Sequence, residues 1–114
     1  MNEYIEAVEA GYEYLLAYAA QGKDTDLGGS GSSEVRQTLE KMADAAAGLQ
    51  NDLKDSAEPF HGVVVEDARK SHAAISLVLA QSGISSEIVD NLNTSMHLRA
   101  LLTDLFLLSE ADNQ

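Results

Sequence analysis

Residues 33–56, SEVRQTLEKMADAAAGLQNDLKDS, carry the pattern that decides the fold of this chain. Apolar side chains recur there at alternating spacings of four and three residues, which is the a/d seam of a helix that packs along another helix. Charged and polar residues fill most of the remaining positions, as on a helix with one face in solvent. The segment therefore predicts one helix of a bundle, with this buried seam: Val35, Leu39, Met42, Ala46, Leu49 and Leu53.

Local start and stop signals divide the rest of the chain into three more helices. Gly22 is placed to end the first helix, because a residue without a side chain takes the left-handed conformation at no steric cost. Pro59 suits the first turn of a third helix, and Ser85 or Ser86 caps a fourth. These signals predict an all-α protein, a four-helix bundle, with helices at about residues 2–21, 33–56, 58–82 and 86–109.

The Gly- and Ser-rich segment 22–33 is predicted to be a flexible linker within a single domain that spans residues 1–114. A glycine-rich loop before a helix also resembles a phosphate-binding loop, but this segment lacks the lysine of a P-loop. The run from Gly28 to Ser33 has the composition of an engineered connection as well as that of a natural linker.

Composition bounds the class of protein. The chain has 114 residues, 45% of them apolar, which is enough for one core and excludes a disordered tail. It has no cysteine, so burial rather than disulfides must hold the fold. The first residues lack the pattern of a signal peptide, and no apolar run has the roughly 18 residues of a membrane span. We therefore expect a cytoplasmic protein that does not enter a membrane.

The net charge of −12 limits the partners of the chain. Most of the excess acid lies in residues 1–26 and 84–114. Such a surface repels nucleic acid and anionic lipid, because affinity for either depends on neutralising phosphates with basic side chains. We expect no binding to nucleic acid, and a basic protein remains a possible partner.

The predicted fourth helix is apolar on all sides in its second half, whereas a bundle helix ordinarily buries one stripe. Exposed apolar patches of this extent mark interfaces. The economical cover is a second copy of the chain in a two-fold dimer. The alternative is a central helix that the other three surround. The predicted homodimer interface consists of Leu98, Leu101, Leu102, Leu105, Phe106 and Leu108.

The first predicted helix offers a second candidate interface beside its main apolar face. Small residues let another helix approach closely, and tyrosines supply contact area with a hydroxyl group. This second stripe consists of Ala7, Gly11, Tyr14 and Tyr18. The main apolar face predicted for the same helix consists of Ile5, Val8, Tyr12, Leu15, Leu16 and Ala19.

The chain has three histidines that are candidates for catalytic or metal-binding residues. Glu58 and His61 match the Glu-x-x-His spacing of di-iron bundles, but there is no second such motif. His61 and His72 are three helical turns apart, too far to share an ion. His97-Leu-Arg is similar, over three residues, to the phosphoacceptor helix of sensor kinases. No nucleophile motif is present, so the sequence predicts no enzyme, no metal and no cofactor.

These observations favour an acidic helical module for protein–protein interaction, of the adaptor, chaperone or inhibitor kind, that associates with itself. The alternatives from other classes are a histidine phosphocarrier and a bundle that binds a small apolar ligand between its helices.

Overall fold

A computed structural model of the chain describes residues 1–27 and 33–112. Those residues form helices and connecting turns, without a β-strand, so the all-α prediction is confirmed. The first three predicted helices lie where expected, to within one turn at either end. The helices are α1 (Asn2–Ala20), α2 (Glu34–Leu53), α3 (Pro59–Leu79), α4 (Ser86–Thr94) and α5 (His97–Asp112).

Most of the predicted start and stop signals have their expected roles. The hydroxyl of Ser33 accepts a hydrogen bond from the backbone N–H of Arg36, and that of Ser85 accepts one from Ile88. Pro59 opens α3, and Gly22 takes a φ of 67° just after α1. The third helix was predicted to run to residue 82, just before Gly83, but Gly83 has no positive φ and α3 ends earlier, at Leu79.

The prediction of one fourth helix over residues 86–109 is wrong, because the chain breaks at Ser95 and Met96. Met96 has a φ of 73°, which an α-helix does not allow. Just before the break, the hydroxyl of Thr94 donates to the carbonyl of Asn91, and that of Ser95 to Leu92. Such local bonds to carbonyl groups compete with helix propagation, so within residues 1–27 and 33–112 five helices replace the predicted four.

Successive arms of the bundle run antiparallel, because bonds join the start of α1 to the end of α2, the start of α2 to the end of α3, and the end of α1 to the residues before α4. The body measures about 46 × 23 × 23 Å. Each of α1 and α3 contacts α2 on one side and the pair α4 and α5 on the other. The closest packing is between α2 and α3, and α5 packs more closely on α3 than on α1. The broken fourth arm therefore takes the place of the one continuous fourth helix that the sequence predicts, and its α5 part packs less closely on α1 than on α3.

The core confirms the seam of α2, since all six of its predicted residues are buried. The buried face of α1 is rotated from the prediction. Leu16 is 49% exposed, whereas Gly11 and Tyr18 are buried. Gly11 is needed because a side chain there would collide with that of Met42 on α2. The rotation follows from this close approach of α1 to α2, which the apolar pattern of α1 alone does not reveal.

The described part of the predicted linker, residues 22–27, is tied to the core by Asp26. Its side chain is 1% exposed and accepts hydrogen bonds from Arg36 Nε (2.8 Å), Ser33 Oγ (2.6 Å) and the backbone N–H of Ile84 (2.7 Å). Arg36 in turn donates to the carbonyls of Leu79 and Gln81. Burial raises the pKa of Asp26, but these donors and the charge of Arg36 outweigh it and lower the pKa. Residues 28–32 of the predicted linker lie outside the described residues.

A second set of bonds at the same end joins α1 to α4. The hydroxyl of Tyr18 donates to the carbonyl of Ile84 at 2.6 Å, and Ser86 Oγ donates to the carbonyl of Tyr18 at 2.6 Å. The backbone N–H of Lys23 donates a hydrogen bond to Ser86 Oγ, and the backbone N–H of Ser86 donates one to the carbonyl of Lys23. One end of the molecule is therefore held by polar contacts between segments more than sixty residues apart, as the 66-residue separation of Tyr18 and Ile84 shows.

Candidate functional site

The groove between α1 and α5 is the candidate interaction surface, and its orientation follows from Asp104. Asp67 on α3 lies close enough to raise the pKa of Asp104, so this side of α5 faces α3. Residues two positions before or after Asp104 point to nearly the opposite side of the helix. Leu102 and Phe106 therefore point toward α1. On α1, the side that faces away from α2 presents Ile5 toward the same groove.

Apolar side chains that the chain covers only in part lie where α1 and α5 meet. Ile5 and Leu102 are half-buried against the core, and Phe106 is 45% exposed. We call Ile5, Leu102 and Phe106 the apolar groove. Burial of a Phe side chain stabilises by about 1.5 to 3 kcal/mol, so roughly half of that remains available to a partner. The exposed apolar area is small enough for the free protein to be stable, and Phe106 offers one aromatic anchor for binding.

A row of acids runs along the outer face of α1 beside the apolar groove. Glu3, Glu6, Glu9 and Glu13 are all exposed, as the sequence predicts, and α1 contains no basic residue. We call these four residues the acidic row. Like charges at helical spacing repel, and the row gains favourable energy only when positive charge approaches. The surface thus combines an apolar groove with a one-signed rim.

The structure divides the predicted self-association interface in two. Leu98, Leu101 and Leu105 are at most 1% exposed and lie in the core of the chain itself. Leu102 and Leu108 are half-buried, and Phe106 is exposed. The predicted interface does not include Leu107, which is 57% exposed. The chain therefore covers half of the predicted set, and only the remainder is available to another molecule.

The second predicted interface is largely an internal contact. Gly11 packs against Met42, and Tyr18 is buried with its ring 6.3 Å from that of Tyr14. Ala7 and Tyr14 line a shallow cleft of about 260 Å³ between α1 and α2. The helix that approaches these small residues is α2 of the same chain.

The three histidines do not come together. His61 Nδ1 lies 2.7 Å from Ser56 Oγ, and the carbonyl of His97 accepts a hydrogen bond from Ser71. His72 lines an open cleft between α2 and α3 with Lys54 and Gln50. Within residues 1–27 and 33–112, no group of three or more His, Asp and Glu residues has the arrangement of a metal site.

One titratable pair has a strongly perturbed environment. Burial raises the pKa of Asp104 to about 7, with further contributions from its hydrogen bond with Asp67 and from the charge of Asp67. The Oδ2 atom of Asp104 is inaccessible to solvent and has no hydrogen-bond partner among the described residues. Nothing in the apolar pattern of either helix shows that these two acids lie close together.

Comparison of the chain with protein-family models, with curated proteins and with solved structures finds no match. None of the helices that the structure describes is both long and apolar enough to cross a bilayer.

Proposed function

We propose that this chain is an acidic helical interaction module, with its helices arranged as four antiparallel arms, that binds a basic amphipathic segment of another protein. The observation that carries the proposal is the apolar groove with the acidic row along its edge. Grooves between helices recognise amphipathic helices through apolar anchors spaced three and four residues apart. Phe106 supplies the anchor contact here, and Ile5 and Leu102 extend it.

Charge selects the partner. A basic segment in the groove places Lys or Arg side chains beside Glu6, Glu9 and Glu13, which favours both fast encounter and the correct partner. Arg99 is the one Lys or Arg on α5, and Glu110 and Asp112 lie on the same helix. The balance of charge around the groove is therefore negative.

A second copy of the chain suits this surface less well than a basic partner. The sequence predicts a dimer through α5, and the part of that interface left uncovered by the chain is Leu102, Phe106 and Leu108. Two copies joined through this groove would bring two acidic rows close together, and like charges across an interface are unfavourable. We therefore propose a basic protein segment as the occupant and treat the dimer as the competing outcome.

The test uses a synthetic amphipathic helix of Leu and Lys as the probe, with a Leu and Glu peptide as its control. We expect the basic peptide to bind, measured by fluorescence anisotropy, with affinity that falls at least about tenfold between about 50 and 500 mM salt. Binding of the basic peptide should change the amide chemical shifts of protein residues in α1 and α5. Salt-insensitive binding, or equal binding of the acidic peptide, would overturn the proposal.

Matched variants test whether binding depends on the acidic row or only on the net charge of the chain. Glu6→Gln combined with Glu9→Gln should weaken the basic peptide several-fold, because both remove charge from the rim. Glu40→Gln combined with Asp44→Asn removes the same charge from the exposed face of α2 and should leave affinity unchanged. Equal losses from the two double variants would show that only the net charge matters.

Two other measurements discriminate the competing functions. Light scattering on the 12.2 kDa chain should report a monomer in dilute solution, and a dimer abolished by Phe106→Glu would assign the groove to a second copy. Incubation with phospho-donors tests the phosphocarrier alternative. Acid-labile phosphate that disappears in His72→Ala would replace the interaction proposal with phosphotransfer from the cleft of α2 and α3.

A further inference from the structure

A joint of two residues, Ser95 and Met96, separates α4 from α5, and one backbone torsion makes the break. Met96 has a φ of 73°, whereas Ser95 still has helical angles, φ −63° and ψ −15°. In a continuous helix the backbone N–H of Met96 would donate to the carbonyl of Leu92. Ser95 Oγ donates to that carbonyl instead, at 2.5 Å. The N–H of Met96 donates to the carbonyl of Asn93 at 3.4 Å.

The local sequence favours one continuous helix across this joint. Residues 84–112 contain neither glycine nor proline, and their apolar pattern predicts a helix over residues 86–109. The left-handed backbone of Met96 is unfavourable for an L-residue. Asn93 is 7% exposed, and its side-chain nitrogen and oxygen have no hydrogen-bond partner within residues 1–27 and 33–112, which also destabilises the bent arrangement. The bend therefore depends on the packing of the helices on either side.

The two parts of the broken arm pack on different neighbours. α4 contacts α1 more closely than α3, whereas α5 contacts α3 more closely than α1. At the start of α5, Ser71 Oγ of α3 donates to the carbonyl of His97 at 3.0 Å. A change of φ at Met96 from 73° to the helical value is a rotation of about 135°, and it swings α5 away from α3 if α4 stays in place. The side chains that then lose their cover are Leu98, Leu101 and Leu105.

We propose that this joint lets two copies of the chain exchange α5. In the exchanged dimer, α4 and α5 of each copy form one straight helix, and α5 packs on α3 and α1 of the other copy. The second copy offers α5 the same surface that it leaves in its own chain, so its buried leucines are covered again without a new interface. The exchange also relieves the left-handed residue in both copies, and strain in a short hinge favours exchange of this kind.

Charge sets the conditions under which the exchange occurs. Each copy carries a net charge of −12, so repulsion opposes the dimer in dilute solution at low salt. High protein concentration and added salt both favour it. A basic partner in the apolar groove has the opposite dependence on salt. The exchange uses neither that groove nor the acidic row, so it does not depend on the proposed basic partner.

The test begins with concentrated protein in about 500 mM salt, warmed to the onset of unfolding and then cooled. Light scattering after size-exclusion chromatography should show a species of twice the 12.2 kDa mass of the chain. It should return to monomer slowly after dilution, because α5 must open first. In a dimer assembled from ¹³C-labelled and unlabelled copies, isotope-filtered NOEs should join Ser71 of one copy to His97 of the other.

Variants at the joint should change the association constant of the dimer in opposite directions. Met96→Gly should lower it at least about a hundredfold, because glycine relieves the bent form and disfavours a continuous helix at both joints of the dimer. Ser95→Ala should raise it several-fold, because it removes the hydroxyl that bonds the carbonyl of Leu92 in the bent form. Ala73→Gly, an exposed change within α3, is the matched control and should leave the constant unchanged.

Phe106→Glu distinguishes the exchanged dimer from a dimer joined through the apolar groove. The exchanged dimer should persist in this variant, because Phe106 is 45% exposed and the exchange does not require the groove. Loss of the dimer in the variant would overturn the proposal. So would a parent chain that stays monomeric throughout, NOEs between Ser71 and His97 that are confined to one copy, or a Met96→Gly variant that dimerises as readily as the parent.

Discussion

Met96 is held in the left-handed region, where the side chain of an L-residue lies too close to the backbone. It is 61% exposed, so its side chain contributes little packing in return. Position 96 follows the end of α4, which is where helices favour glycine or asparagine. The residue therefore stores strain at the joint between α4 and α5.

Replacement of Met96 by glycine should stabilise the fold. Relief of the left-handed backbone gains about 1 to 2 kcal/mol, and the greater freedom of glycine in the unfolded chain returns about 0.4 to 1 kcal/mol of it. We expect a net gain of about 0.5 to 1 kcal/mol, measured as a higher midpoint of urea unfolding. Met96→Ala keeps the strained backbone and should show no gain. A glycine variant no more stable than the parent would contradict this account of the joint.

Some features of single residues can be predicted from the sequence, and others cannot. Ser33, Ser85 and Pro59 act at helix starts through bonds to residues close by in the chain, and the sequence shows them. Asp26 does not follow from the sequence, because its partner Ile84 is 58 residues away. A Gly- and Ser-rich segment predicts flexibility, and only the fold shows that its one buried acid is fully bonded.

At the scale of one element, α5 is apolar on nearly all sides but is buried on one. Leu98, Leu101 and Leu105 recur at three and four residues and face the core, while Phe106 and Leu107 face outward. Composition shows that the helix has more apolar surface than a stripe needs. Which leucines the chain covers depends on the rotation of α5 against α1 and α3.

Two alanine substitutions on α5 should therefore behave differently. Leu101→Ala removes a side chain that is 1% exposed and should cost about 2 to 5 kcal/mol of unfolding free energy. Phe106→Ala removes a ring that is 45% exposed and should cost about 1 kcal/mol, while it weakens the basic peptide about tenfold. Urea unfolding and anisotropy measure the two effects. Similar losses of stability in both variants would show that Phe106 belongs to the core.

At the scale of the whole molecule, two acids with opposite shifts shape the dependence of stability on pH. Asp26 has a lowered pKa in the fold, so its contribution is present above the unfolded value of about 3.8 and is lost as pH falls further. Asp104 has a raised pKa, so its contribution is complete below about 3.8 and is lost as pH rises to about 7. Together they place the maximum on the acidic side of neutrality.

We predict maximal stability at about pH 4 to 5, a decline toward pH 7 and little further loss from these two groups above it. Thermal unfolding across this range measures the profile. Asp104→Asn should flatten the decline between pH 4 and about 7, and Asp26→Asn should lower stability at neutral pH and weaken the loss at acidic pH. A maximum at neutral pH in the parent chain would be incompatible with the environment of Asp104.

The sequence by itself determined that the chain is helical, where most helices begin and end, which face of α2 is buried, and that α1 carries an exposed row of acids. These properties depend on the helical period and on hydrogen bonds between residues a few positions apart. The tertiary structure decided the rotation of α1, the break at Met96 as a joint between two packed helices, the burial of Asp26, and the meeting of Asp67 with Asp104. Each of these depends on the register and rotation of helices distant in the chain, which packing of the whole core sets and no local pattern records.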